Sequence, residues 1–539
     1  MSASSKKKLR NAEQAAKMTE KQLAEQKEAK KLKLYTTLAV VILIALVVFA
    51  AYTGISRSIA NSGIRERNTV ALTIGDNKIS NAELNYFFID SVNQFYSQYG
   101  QYATMFGLDP TLPLNEQIVD EETKETWADD FLNTAIESAK SAYALAAEAK
   151  ANGYTLPEDA VANIDSAIAN MELYANLYGY PNTEGYMKAL YGNGANEKTL
   201  RAYYELTELA RYYQNHYHES LTYTDDELRA AEAENYNAYS SYSYNYYYLN
   251  VNNFIEGESA EATAEQKAEA VKAAEEAAKS LTTGITTVQQ FDEAIAALPV
   301  NAENTTAKST ACNEYSYNNI PDSFVDWMTE DVRKPGEMTY VASTSTTTDE
   351  NGKETEQTNG YYVVMFNAVN ANVYPLANVR HILVAFEGGS YDSNTGITTY
   401  TDEEKAAAMK EAEDILNEWK SGAATEDSFA TLANEKSDDG DGTTGGLYED
   451  IYPGQMVPAF EDWCFADHEV GDTGIVETEY GCHVMFYSGD SETTYRDYLI
   501  SSELANADYD EWYTALTEAV TATEENLKFI STDLVLSAN

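Results

Sequence analysis

One series of features occurs twice along this chain, and the repetition constrains the fold more than any composition does. Residues 263–297 and 401–433 each read as a charged helix, a Gly break and a second helix opened by Phe291 or Phe429. The match continues downstream, where Ile320-Pro-Asp-Ser-Phe324-Val-Asp-Trp327 aligns with Met456-Val-Pro-Ala-Phe460-Glu-Asp-Trp463. Gly360-Tyr-Tyr-Val-Val-Met-Phe366 then mirrors Gly481-Cys-His-Val-Met-Phe486. Two tandem copies of one α+β module follow, residues 245–372 and 373–492, each ordered strand, helix, helix, loop, helix, strand.

The copies differ where polar chemistry belongs. The second carries His381 in its first strand, Ser437-Asp438-Asp439 after its second helix and His483 in its last strand. At the corresponding places the first has Tyr248, no Ser-Asp-Asp and Tyr362, so it reads as a scaffold without the site. The Thr-rich tract 343–359 is an insertion in the first copy and is expected to be a solvated loop. Cys482 stands beside His483, but adjacent strand residues face opposite ways, which argues against a thiol-imidazole pair. Three cysteines are too few for a disulfide framework.

Before the repeat, residues 68–244 open with a strand, turn and strand at Thr69–Ile79, and Ser80 caps the first of several helices rich in Ala and Tyr. The Tyr stripe reads first as core and second as a groove for apolar segments. His216 and His218 do not share a helical face and read as surface residues rather than metal ligands. The C-terminal helical stretch, 494–539, is expected to pack back on this domain, since both would otherwise leave apolar faces uncovered.

Charge narrows the partners. The chain carries a formal net charge of −51, which repels phosphate backbones and excludes nucleic acid as a natural ligand. Residues 1–33 are the exception, with ten Lys or Arg against four Glu. They precede an uncharged stretch at 34–52, which reads as a single transmembrane helix followed by a polar linker at 53–67. The positive flank then places the N-terminus in the cytoplasm, the helix in the cell membrane and the C-terminal domains outside.

The second module resembles the parvulin family of peptidyl-prolyl cis-trans isomerases. The residues that carry the resemblance are Val379-Arg-His-Ile-Leu-Val384, Phe429-Ala-Thr-Leu-Ala433, Ser437-Asp-Asp439, Gly445-Gly-Leu447, Gly454-Gln-Met-Val-Pro-Ala-Phe460 and Thr478-Glu-Tyr-Gly-Cys-His483. The flanking helical domain, on weaker pattern, looks like the chaperone domain of PrsA and SurA type foldases. The resemblance implies active-site histidines at His381 and His483, the acidic position at Asp439, and Thr478 hydrogen-bonding the histidine pair. Met456 and Phe460 would form the floor for the proline ring, with Leu447 beside them.

It implies neither metal nor cofactor. The function expected is a membrane-anchored, extracytoplasmic isomerase and chaperone for newly exported, unfolded chains containing Xaa-Pro bonds. The alternatives are a holding chaperone without catalysis and a surface scaffold that retains the fold. Glu387-Gly388-Gly389 follows the first strand where a basic cluster would be needed, so phosphorylated Ser/Thr-Pro is not expected as a preference.

Overall fold

The computed structural model describes residues 59 and 61–536 apart from 258, 305, 331–332, 349–353, 394 and 441, with residues 4–8, 10, 28, 30–31, 33 and 42–49 of the N-terminal part. The chain divides into two compact units, one of residues 1–221 and 508–539 and one of residues 222–507.

The expected membrane span is corrected. Among the described residues no helix is long and apolar enough to cross a membrane. Of residues 34–52 only 42–49 are described, and they are helical. The rest of 34–52, and most of the basic segment before it, lies outside the described residues. The single-pass placement in a cell membrane, with its cytoplasmic N-terminus and membrane partner, is withdrawn with the helix.

In the first unit, the expected linker at 53–67 ends in a short helix, α1 (Ile64–Asn68). The hairpin β1 (Val70–Ile74) and β2 (Asn77–Ser80) turns at Gly75, whose φ of 54° suits a residue without Cβ. Ser80 then accepts the Glu83 amide at 3.2 Å and starts α2 (Asn81–Tyr99). Four further helices follow: α3 (Trp127–Ala151), α4 (Glu158–Leu177), α5 (Thr183–Tyr191) and α6 (Glu197–Ser220). Their periodic Leu, Phe and Ala make one core around Leu84, Phe88, Phe131, Ala139, Leu145 and Leu200.

Part of the Tyr stripe belongs to that core. Tyr86 and Tyr203 are buried and stack at 5.0 Å, with their hydroxyls on Thr199 and Asp90. Of the C-terminal stretch expected here, 494–539, residues 508–539 complete the unit and 494–507 belong to the second. Strand Ala522–Glu524 pairs antiparallel with β1, and Trp512 stacks on Tyr217 at 3.7 Å while donating to Glu148 at 2.9 Å.

The second unit opens with α7 (Asp225–Glu234) and holds two four-stranded antiparallel sheets of the same strand order. The first is built from β3 (Ser241–Asn250), α8 (Ala264–Ser280), α9 (Val288–Ala296), β4 (Thr310–Ser316), α10 (Asp322–Met328), β5 (Met338–Thr348) and β6 (Glu354–Asn370), in the order β4-β3-β6-β5. The insertion expected to be a loop is an extension of its β5–β6 pair, with Thr344 opposite Thr358 and Thr348 opposite Glu354. Its alternating Ser and Thr favour extended, ladder-forming backbone.

The second sheet follows from β7 (Pro375–Ala385), the small hairpin β8 (Ser390–Asp392) and β9 (Ile397–Thr399), α11 (Asp402–Ser421), α12 (Glu426–Lys436), β10 (Leu447–Ile451), α13 (Pro458–Cys464), β11 (Thr473–Glu477) and β12 (Gly481–Thr494). Its order is β10-β7-β12-β11. Helices α11 and α12 cover one face, over Ile382, Val384, Cys482, Val484 and Phe486. Helix α13 covers the other, where Phe460 and Cys464 meet Val379, Met485 and Tyr487.

Candidate active site

The two central strands of the second sheet set the site. On β7 and β12, His381 lies directly across from Met485 and His483 across from Leu383, so the imidazoles are diagonal neighbours on one face. It is the face of α13. Cys482 is on the opposite face, fully buried, and desolvation raises its thiol above the ordinary value. The alternation that separates it from His483 also removes it from the site.

The histidines are linked at their Nδ1 atoms, 3.1 Å apart. At the outer end of one ring, His381 Nε2 stands 3.1 Å from Asp439 Oδ2. At the outer end of the other, His483 Nε2 stands 2.9 Å from Thr478 Oγ1. Both rings are buried, at 3% and 6% exposure, while the Asp439 side chain is 40% exposed.

Burial lowers the affinity of both rings for protons, His483 to about 4, where His381 beside it adds to desolvation. Asp439 works against that shift in both rings and is outweighed. With both imidazoles neutral and Asp439 a carboxylate, only one arrangement of protons satisfies every contact. His381 Nε2–H donates to Asp439, so His381 Nδ1 accepts. His483 Nδ1–H donates to it, and His483 Nε2 then accepts the Thr478 hydroxyl.

Asp439 is held by the edge of β7. Leu383 N–H donates to Ser437 Oγ at 3.1 Å, Asp438 N–H to the Leu383 carbonyl at 2.9 Å, and Ala385 N–H to Asp438 Oδ2 at 2.9 Å. The Ser-Asp-Asp segment thus continues the ladder where β10 ends and leaves Asp439 over His381. Gly446 closes the same edge, accepting the His381 amide at 2.9 Å. A Cβ there would stand 2.1 Å from the His381 carbonyl oxygen.

Phe460 presents its ring edge-on to both imidazoles, at 5.4 and 5.2 Å between centroids. Met456 is half-buried against the same apolar cluster. The structure therefore brings His381, His483, Thr478, Asp439, Met456 and Phe460 to one face. It does not bring Leu447, which pairs with Arg380 and so lies on the face covered by α11 and α12. Tyr448, opposite Val379, is the residue on the site face, stacked on His381 at 5.0 Å and donating to Asp439 Oδ2 at 3.1 Å. Alternation along β7 does not by itself find it, because the β7–β10 register decides which of Leu447 and Tyr448 shares the face of His381.

Register also identifies the first sheet's counterparts. Tyr362 occupies the place of His483, and Val364, the counterpart of Met485, pairs with Tyr246. Tyr246, rather than Tyr248, therefore stands where His381 stands in the second sheet. Tyr246, Tyr362 and Phe324 form an aromatic cluster there, with centroids 5.9 and 5.7 Å apart.

Residues 361–487 match the model of the PPIC-type PPIase domain, a rotamase family. Among solved structures, the peptidylprolyl isomerase PrsA from Bacillus cereus is similar at 25% identity, over 28% of this chain and 50% of that one, with a TM-score of 0.17. PrsA from Bacillus anthracis is similar at 21% identity, over 28% and 59% of the two chains, with a TM-score of 0.17. The peptidyl-prolyl isomerase ESS1 from Candida albicans is similar at 30% identity, over 21% and 63%, with a TM-score of 0.16. The chain spans half the length of the first of these structures. No curated protein sequence matches it.

Proposed function

Because the chain carries a parvulin-type peptidyl-prolyl isomerase domain within residues 361–487, we propose that it isomerises Xaa-Pro bonds in unfolded protein segments and so acts as a foldase. The observation that carries this reading is the hydrogen-bonded series Thr478, His483, His381 and Asp439 beside the apolar floor of Phe460 and Met456.

Rotation about an Xaa-Pro amide makes and breaks no covalent bond, and its barrier of about 18–20 kcal/mol is lost resonance. A catalyst needs only to favour the twisted amide over both planar forms. The Phe460 and Met456 surface suits the proline ring and excludes water from the amide. As the amide twists, its nitrogen loses conjugation and the charge on its carbonyl oxygen changes, and groups fixed around it stabilise that altered distribution. Asp439 is the half-open group facing the reacting region. His381, His483 and Thr478 are positioning residues, which hold Asp439 through fixed tautomers.

The helical unit is the proposed holder of unfolded segments. Its cleft of about 500 Å³, lined by Leu156, Val161, Ile164, Leu206, Leu209 and Tyr143, supports that role. Isomerisation without help takes tens of seconds, so a catalyst with a holding surface shortens the exposure of unfolded chain. The test is refolding of a proline-limited protein with and without this chain. Acceleration that Asp439→Ala removes supports catalysis, and protection from aggregation without acceleration identifies a holding chaperone.

A further inference from the structure

The buried histidines offer little to a substrate's charge. The open polar groups of the site are the Asp439 carboxylate, 40% exposed, and the Tyr448 phenol, 37% exposed, held together at 3.1 Å. A peptide seated on Phe460 meets an anion and the face of an electron-rich ring side by side. The same pair favours a cation twice, through the carboxylate and through the ring quadrupole.

The surroundings reinforce that choice. From Ser437 to Tyr495, the stretch that supplies Asp439, Tyr448, Met456, Phe460, Thr478 and His483, there is no Lys or Arg. Asp438, Glu449, Glu477 and Glu479 lie in it. The module's one arginine, Arg380, is on the face opposite the histidines. It is engaged with Glu426 at 2.9 Å and with the carbonyls of Thr444 and Gly445 at 3.2 and 3.1 Å. Lys405 is paired with Glu477 at 3.0 Å. Both of these cations are thus engaged rather than offered to an acidic or phosphorylated residue, and the stretch that builds the site contributes charge of one sign.

We propose that this site selects segments with Lys or Arg immediately before proline, and that Tyr448 with Asp439 forms the subsite for that cation. The inference rests on the isomerase reading and adds its substrate class. Tyr448 acts in this on specificity, which the ratio between substrates reports independently of any loss in the common rate.

The test measures kcat/KM of the full chain on peptides that differ only in Arg, Lys, Ala or Glu before proline, at low and high salt. The expected order is Arg and Lys above Ala above Glu, with about tenfold between Arg and Glu at low salt that shrinks as salt screens the charges. In Tyr448→Leu the ratio of Arg to Ala falls about threefold, and Tyr448→Phe, which keeps the ring, retains most of it. Turnover of the Ala peptide with no preference among the four overturns the inference and leaves the isomerase reading standing. Absence of turnover on all four overturns both. An unchanged Arg to Ala ratio in folded Tyr448→Leu overturns the assignment to Tyr448. Should Tyr448→Leu not fold, the salt response of the wild-type ratio decides, since a preference that does not shrink with salt is not electrostatic.

Discussion

His381 Nδ1 and His483 Nδ1 meet at 3.1 Å from positions that are diagonal, not opposite, in the β7–β12 ladder. That relationship determines the rest of the site. It turns the outer nitrogen of one ring to Asp439 and of the other to Thr478, so the position of each proton follows from its neighbours.

Thr478 is the far end of that series, and its hydroxyl determines which nitrogen of His483 accepts. Thr478→Ala removes the donor and frees the ring to change tautomer. A lost buried hydrogen bond of about 1–1.5 kcal/mol corresponds to roughly a tenfold fall in kcat. Thr478→Ser restores most of it. A peptide isomerase assay on the two variants checks this, and equal loss in both would point to packing rather than the hydroxyl.

The histidines also link stability to pH. His483 titrates near 4 in the folded chain and His381 is lowered too, whereas an unfolded imidazole titrates near 6.5. The folded state therefore binds fewer protons at these rings. Their contribution is fully present above about pH 6.5 and is lost as pH falls toward 4. Urea midpoints between pH 7.5 and 4.5 are expected to fall more steeply for the wild type than for His381→Gln/His483→Gln. The comparison cancels the many carboxylates common to both.

Gly446→Ala tests the edge that holds His381. The glycine has a φ of 65°, and the added Cβ would be 2.1 Å from the His381 carbonyl oxygen. A left-handed conformation and a backbone clash together are expected to cost at least about 2 kcal/mol, read by chemical denaturation. Turnover falls with it, because the displaced strand carries His381.

Arg496, at 1% exposure, is the bulkiest of the fully buried side chains among the described residues. Its guanidinium donates to the carbonyls of Tyr236, Tyr239 and Ala371 and to Glu232, joining α7 to the segments that flank the first sheet. Arg496→Met leaves Glu232 with Arg229 alone and strands the carbonyls of Tyr236, Tyr239 and Ala371, for which about 3 kcal/mol of lost stability is expected. Thermal unfolding of the full chain measures it. A loss under about 1 kcal/mol would mean that water replaces the guanidinium.

The repeat was readable because each copy buries its faces with the same periodicity, so the two sheets share strand order. Strand parity separated Cys482 from His483 without coordinates. Parity failed where alignment was off by one or two residues. Leu447 and Tyr448 are adjacent, and only pairing with Arg380 and Val379 tells which one faces His381. Tyr248 and Tyr246 share a face, so the sequence alone could not separate them, and the β3–β6 register does. The Thr-rich insertion was misjudged because its polarity suggested a loop, whereas β-branching governs its backbone. The apolar stretch at 34–52 was judged by length and hydropathy, whereas among the described residues no helix is long and apolar enough to cross a membrane.

The most direct test is turnover of the full chain on a cis Ala-Pro peptide, alongside Asp439→Ala and Met456→Ala/Phe460→Ala variants whose circular dichroism matches the wild type. The account predicts wild-type acceleration and a loss of at least about tenfold in both variants, from the carboxylate and from the apolar floor separately. Full activity in folded Asp439→Ala and Met456→Ala/Phe460→Ala, or none in the wild type, would contradict it.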